Sequence, residues 1–240
     1  MKAILILLIM SSAQLFAQKT LNPGNVKFES KFIKNETSTA IWYAEIGSQK
    51  IEIGKITNQV KKTDNATLLF ETTIKMNKAP DQSWVDSTMV KISDFQPIYH
   101  SSYNMMRDMV LKFQKNKVTG YYLDKKTQRR DEISEDTASP YFDSNTYPLL
   151  LRYLPLKEHY STELSIFDYN PNEKKGVLKA YLEEVTAGEL DGKKVWIVKT
   201  TDDIQDRKTV VLYYLNRDTR EILRQEVNSS GRKMIMEYVK

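Results

Sequence analysis

Only one stretch of this 240-residue chain, residues 141–156 (YFDSNTYPLLLRYLPL), carries a clear helical pattern; the chain around it alternates like strand. Tyr147, Leu150, Leu151 and Leu154 stand at i, i+3, i+4 and i+7 and lay one apolar stripe along a short helix. Leu149 and Tyr153 widen the stripe, and Arg152 interrupts it. Asp143, Ser144, Asn145 and Thr146 offer side-chain oxygens to the free amides at the helix start, Pro148 is tolerated in the first turn, and Pro155 stops the helix. A helix this short is marginal in water, so packing must hold it. The partner on offer is a sheet. The chain is therefore predicted to be mainly β: a large curved antiparallel sheet, an unclosed β-barrel of meander connectivity, wrapped over one short central helix around residues 144–154.

Short runs rich in β-branched and aromatic residues, divided by turn residues, predict the strands. Before the helix they fall at 26–34, 40–46, 50–60, 67–76, 83–92, 98–103, 108–114, 117–123 and 129–134, and after it at 161–169, 177–185, 194–200, 209–215, 221–228 and 233–239. In the run 83–92, Trp84, Asp86, Thr88, Val90 and Ile92 share one face. Gly54 marks a bulge or a close backbone approach inside its strand. No internal repeat and no low-complexity linker breaks the pattern, which predicts a single β-rich domain over 18–240.

The N-terminus predicts export. Lys2 precedes an unbroken apolar run, AILILLIM, and a more polar segment that ends in Ala17, which together read as a signal peptide over residues 1–17. The apolar run is too short to span a bilayer, and no other segment is apolar enough to do so. The expected location is the periplasm, with the cell exterior as the alternative. The chain has no cysteine, so neither a disulfide framework nor a lipid-modified cysteine is expected. Its formal charge of +5 is well mixed in sign. The basic run from Lys125 to Arg130 is followed at once by Asp131, Glu132, Glu135 and Asp136, which reads as a solvated turn and not as a nucleic-acid surface.

The sequence carries few marks of catalytic chemistry. His100 and His159 stand far apart without metal-ligand spacing, and no nucleophile-elbow, phosphate-loop or dinucleotide fingerprint occurs, so no metal, cofactor or catalytic residue is assigned. Asp86, Asp143 and Glu163 are expected at the surface. Arg152, an arginine on a buried helix, either grips a lipid or peptide carboxylate, or is paired within the chain or faces solvent from the polar side. The ligand-binding candidates are Tyr147, Leu150, Leu151, Arg152 and Leu154, the residues that the helix presents to the sheet.

The order of these elements resembles a known family. A strand meander, then YFDSNTYPLLLRYLPL, then the VWIV strand and the closing YYLNRDTREILRQE hairpin are similar to the uncharacterised bacterial envelope family called domain of unknown function 3108. That family in turn resembles the periplasmic lipoprotein carriers, whose fold is an unclosed antiparallel β-barrel over helices. The resemblance implies that the helix centred on Leu150 sits in the concave side of the sheet, and it carries no catalytic residues over. Three functions fit, in this order: a non-catalytic binding module for a lipid, an acylated partner or another amphipathic ligand; an accessory envelope protein acting through protein contacts; and a glycan-acting enzyme.

Overall fold

The computed structural model describes residues 20–171 and 174–239; the expected signal segment, 1–17, lies outside them. Eight strands precede the helix: β1 (Glu36–Ile46), β2 (Gln49–Lys62), β3 (Thr67–Met76), β4 (Ala79–Lys91), β5 (Pro97–Tyr103), β6 (Arg107–Phe113), β7 (Lys117–Asp124) and β8 (Arg129–Asp136). A two-residue strand, β9 (Phe142–Asp143), leads into the helix α1 (Tyr147–Leu150), which tightens into a 3-10 turn at Leu151–Tyr153. Six strands follow: β10 (Thr162–Asp168), β11 (Gly176–Leu190), β12 (Lys193–Asp202), β13 (Thr209–Asn216), β14 (Ile222–Ser229) and β15 (Arg232–Val239).

All fifteen strands belong to one sheet, in the order β8-β7-β6-β5-β4-β3-β2-β1-β15-β14-β13-β12-β11-β10-β9. Each strand therefore pairs with its sequence neighbour, and the pairing of β1 with β15 joins the two halves. Every pair is antiparallel except β9 with β10. Tight turns set the hairpin registers. Asp191-Gly192 joins β11 to β12 and Ser230-Gly231 joins β14 to β15, with all four residues at positive φ, the backbone that matches the strand twist of a two-residue hairpin.

The sheet does not close by hydrogen bonds, because β8 and β9 remain its two ends. Side chains bridge the gap. Phe113, Tyr141 and Phe167 stack with ring centroids 5.3–6.0 Å apart, joining β6 to β10 through the segment before β9. The edge strand β8 carries Arg129, Arg130, Asp131 and Glu132, charges that discourage pairing with a further strand. Close backbone packing occurs at the neighbouring β6–β7 pair, where a Cβ on Gly120 would lie 1.8 Å from the carbonyl oxygen of Val110. Gly120→Ala should cost about 2–3 kcal/mol, the upper range for overpacking, because the obstacle is backbone and cannot rotate away. Urea unfolding of the variant against the parent chain measures it.

The helix fills the centre of the concavity. Leu150, Leu151, Tyr153 and Leu154 are fully buried against Leu68, Phe70 and Val90 from one half of the sheet and Leu164, Val198 and Leu215 from the other. Two expectations need correction here. Residues 26–34 form no strand; they cross the helix as irregular chain with a 3-10 turn at Ser30–Phe32, and the Glu29 amide donates to the Tyr153 carbonyl. Both edges of β1 are taken, by β2 and β15, so the segment finds no free ladder there and uses Phe28 to pack on Phe95 instead. The helix is also shorter than 144–154. Thr146 is its N-cap residue without a side-chain cap, since its hydroxyl donates to the Asp143 carbonyl, while the side chains of Asp143, Ser144 and Asn145 bond to Thr88, His100 and Asp168. Leu154 is already extended ahead of Pro155, as the residue before a proline prefers.

Candidate functional site

A cavity of about 440 Å³ opens beside the helix start, where the two halves of the sheet face each other. Strand alternation supplies its floor: Asp86 and Thr88 of β4 stand opposite Ser102 and His100 of β5. β9 brings Asp143 across from the other half. Its Oδ2 accepts from Thr88 Oγ1 at 2.6 Å and pairs with His100 Nδ1 at 2.7 Å, and Asn145 Nδ2 donates to Thr88 Oγ1 at 3.3 Å. Around this knot, Asp86 accepts from Trp84 Nε1 at 2.8 Å, Asp168 from Ser144 Oγ at 2.6 Å, and Asp202 from the Tyr147 hydroxyl at 2.9 Å. Burial opposes a charge on His100, but the charge and hydrogen bond of Asp143, helped by Asp86, outweigh it and raise the imidazole pKa above its usual value. Burial likewise raises the pKa of Asp168.

An apolar groove of about 490 Å³ adjoins this cavity. Trp42, Ile74 and Trp84 project into it from the concave face, and Met105 and Met106 form its rim in the β5–β6 turn, 57% and 63% exposed. Trp84 and Arg107 line both spaces, so the groove and the cavity share a wall. Apolar and polar surfaces thus meet at one end of the half-barrel. A third, smaller hollow of about 240 Å³ lies by Arg152 and Glu36.

The sequence of residues 37–237 matches the family described as protein of unknown function (DUF3108). The chain belongs to this family. No curated protein matches it. Among solved structures, this DUF3108 protein is similar to a β-barrel-like protein of domain of unknown function DUF1849 from Brucella abortus, with a TM-score of 0.53 at 10% identity, covering 86% of this chain and 96% of that one. That likeness concerns the fold. A hypothetical protein from Chlamydia trachomatis aligns at a TM-score of 0.33 and 10% identity, covering 88% of this chain and 89% of its own. A DUF1329 family protein from Desulfovibrio piger aligns at 0.28 and 9% identity, covering 88% and 87%.

The helix residues singled out from the sequence of this DUF3108 protein lie in two environments. Leu150, Leu151 and Leu154 are at 0% exposure inside the core. Tyr147 lines the polar cavity through its hydroxyl. Arg152 faces the opposite end: its Nε donates to the Arg220 carbonyl at 2.6 Å, and its Nη1 pairs with the Glu36 carboxylate. A carboxylate of the chain itself therefore meets this arginine. The polar knot was the part that sequence reasoning missed. Asp86 and Asp143, expected at the surface, are 7% and 1% exposed, because β4 turns Asp86 inward and β9 inserts Asp143 between the sheet halves. The available signal was the face of β4, on which polar Asp86 and Thr88 interrupt an otherwise apolar series.

Proposed function

We propose that this protein is an exported, non-catalytic binding module of the periplasm that holds one amphipathic ligand, a lipid or an acylated partner, at the open end of its half-barrel. The observation that carries this reading is the shared wall of Trp84 and Arg107, which places an apolar groove beside a polar cavity. An apolar chain fits against Trp42, Trp84 and the methionines, whose flexible thioethers adapt to varied shapes. A polar head then reaches the aspartates. The signal-like segment at residues 1–17 supports export. The ligand lies beside the helix and not beneath it, since Leu150, Leu151 and Leu154 leave no free apolar face.

The test uses intrinsic fluorescence, because two of the three tryptophans line the groove. Titrating a single-chain amphiphile below its micelle concentration should shift the emission to shorter wavelength with saturation near one equivalent. Met106→Glu, a charge placed on an exposed rim residue, should weaken binding about tenfold or more, the loss expected when a chain of even a few methylenes leaves its contact. Unshifted emission in the parent chain, or equal binding by the variant, sinks the groove as the site.

A further inference from the structure

The walls of the cavity and groove are out of balance in two ways. First, they contain buried polar nitrogens without partners among the described residues: His100 Nε2, Arg107 Nε and Trp42 Nε1. Arg107 and Trp42 bear N–H donors at these atoms, and the protonated imidazole does too. Each of the four cavity aspartates accepts from another side chain, Trp84, Thr88, Ser144 or Tyr147, and keeps further acceptor capacity, but none accepts from these three nitrogens. The three nitrogens therefore lack acceptors of their own.

Second, the same walls carry surplus negative charge. Asp143 is matched by His100, but Asp86, Asp168 and Asp202 bond to neutral partners, and Arg107 makes no ion pair among the described residues. Arg107 instead donates to Ser102 Oγ at 3.3 Å, with its guanidinium 6.0 Å from the Trp84 ring. A simple anion would satisfy the nitrogens and meet the carboxylates; a simple cation would satisfy the carboxylates and strand the nitrogens. Leaving buried donors unpaired costs as much as any contact gains.

Building on the amphiphile-binding reading, we infer that the ligand's head group is zwitterionic, with an anionic oxygen on Arg107 and His100 Nε2 and an ammonium group facing Asp168 and Asp202. Charge-assisted hydrogen bonds at both poles would give the selectivity. His100 sits 5% exposed at the base of the space, held by Asp143, and so presents Nε2 from a fixed position. Its raised pKa supports the protonated form that the anionic pole requires.

Calorimetric titration of the full chain with four amphiphiles of one chain length separates the possibilities: lauroyl lysophosphatidylethanolamine, lauroyl lysophosphatidylglycerol, dodecylammonium and dodecyl maltoside. The ethanolamine lipid should bind about tenfold tighter than each of the others, the factor that one further charge-assisted contact supplies. Arg107→Gln should remove its advantage over dodecylammonium. Asp168→Asn should remove its advantage over the glycerol lipid, and it keeps the test open if the arginine variant does not fold. An equal or tighter glycerol lipid or dodecylammonium overturns the zwitterion and leaves the amphiphile site standing, as does a maltoside that matches them all. If glycerophosphoethanolamine, the head without its chain, binds as tightly as the lipid, the head chemistry holds and the amphiphile reading fails. Binding by none of these defeats both.

Discussion

Replacing Leu150 with aspartate should leave the chain unfolded under native conditions. The side chain is at 0% exposure, enclosed in the hydrophobic cluster formed by the helix and both halves of the sheet. A carboxylate there must either stay charged in an apolar medium or take up a proton and still lack hydrogen bonds. The loss of Leu burial alone is worth about 2–5 kcal/mol, and an unpaired polar group adds several more. Together these approach the about 5–15 kcal/mol that holds a typical domain. Circular dichroism and urea titration report the outcome: absent or greatly weakened β signal for Leu150→Asp, and a cooperative transition at lower urea for Leu150→Ala. A Leu150→Asp chain as stable as the parent would show that the helix is not packed in the concavity.

The second large effect belongs to Asp143. Asp143→Ala removes the acceptor for Thr88 and the counter-charge for His100 and leaves both buried. Breaking one partner of a buried pair costs about 3–5 kcal/mol, more than the net worth of the pair, because the remaining group is stranded. The pH dependence should change sign as well. In the parent chain the folded pKa of His100 is raised, so its contribution is complete below about pH 6.5 and is lost as pH rises through the folded value. Without Asp143, burial dominates and depresses the folded pKa, so stability should instead climb as pH rises towards about 6.5. Urea midpoints between pH 5 and 9 for the two chains distinguish these slopes. Parallel slopes would mean that Asp143 does not hold the imidazole.

Most of the architecture was legible from local pattern. The fourteen strands from β1 to β8 and from β10 to β15 follow runs of alternating or β-branched residues broken by turn residues, and consecutive hairpin connections make sequence order and sheet order nearly the same. The misses are places where tertiary context overrides a local signal. Residues 26–34 alternate as a strand should, yet no ladder is free for them at β1. Asp143, Ser144 and Asn145 have cap chemistry, yet their side chains meet Thr88, His100 and Asp168, which lie 24 to 57 residues away. The same long-range pairing hid the polar cavity, since alternation marks which face Asp86 and Thr88 occupy but not that β9 will bring a second set of polar groups against them. Gly54 was readable: a Cβ there would stand 2.5 Å from the Lys75 carbonyl, and the β1–β2 register shifts beside its partner Trp42.

The ligand proposed above is one amphiphile in the groove bounded by Trp42, Trp84 and Met106. Native mass spectrometry of the protein purified from its own cells, followed by solvent extraction, tests it most directly. The expected result is a chain carrying one extractable amphiphile, and a Met106→Glu chain of equal stability that carries none. An empty parent chain that stays empty after incubation with envelope lipids would rule out a groove-bound amphiphile, as would a Met106→Glu chain that retains the same load.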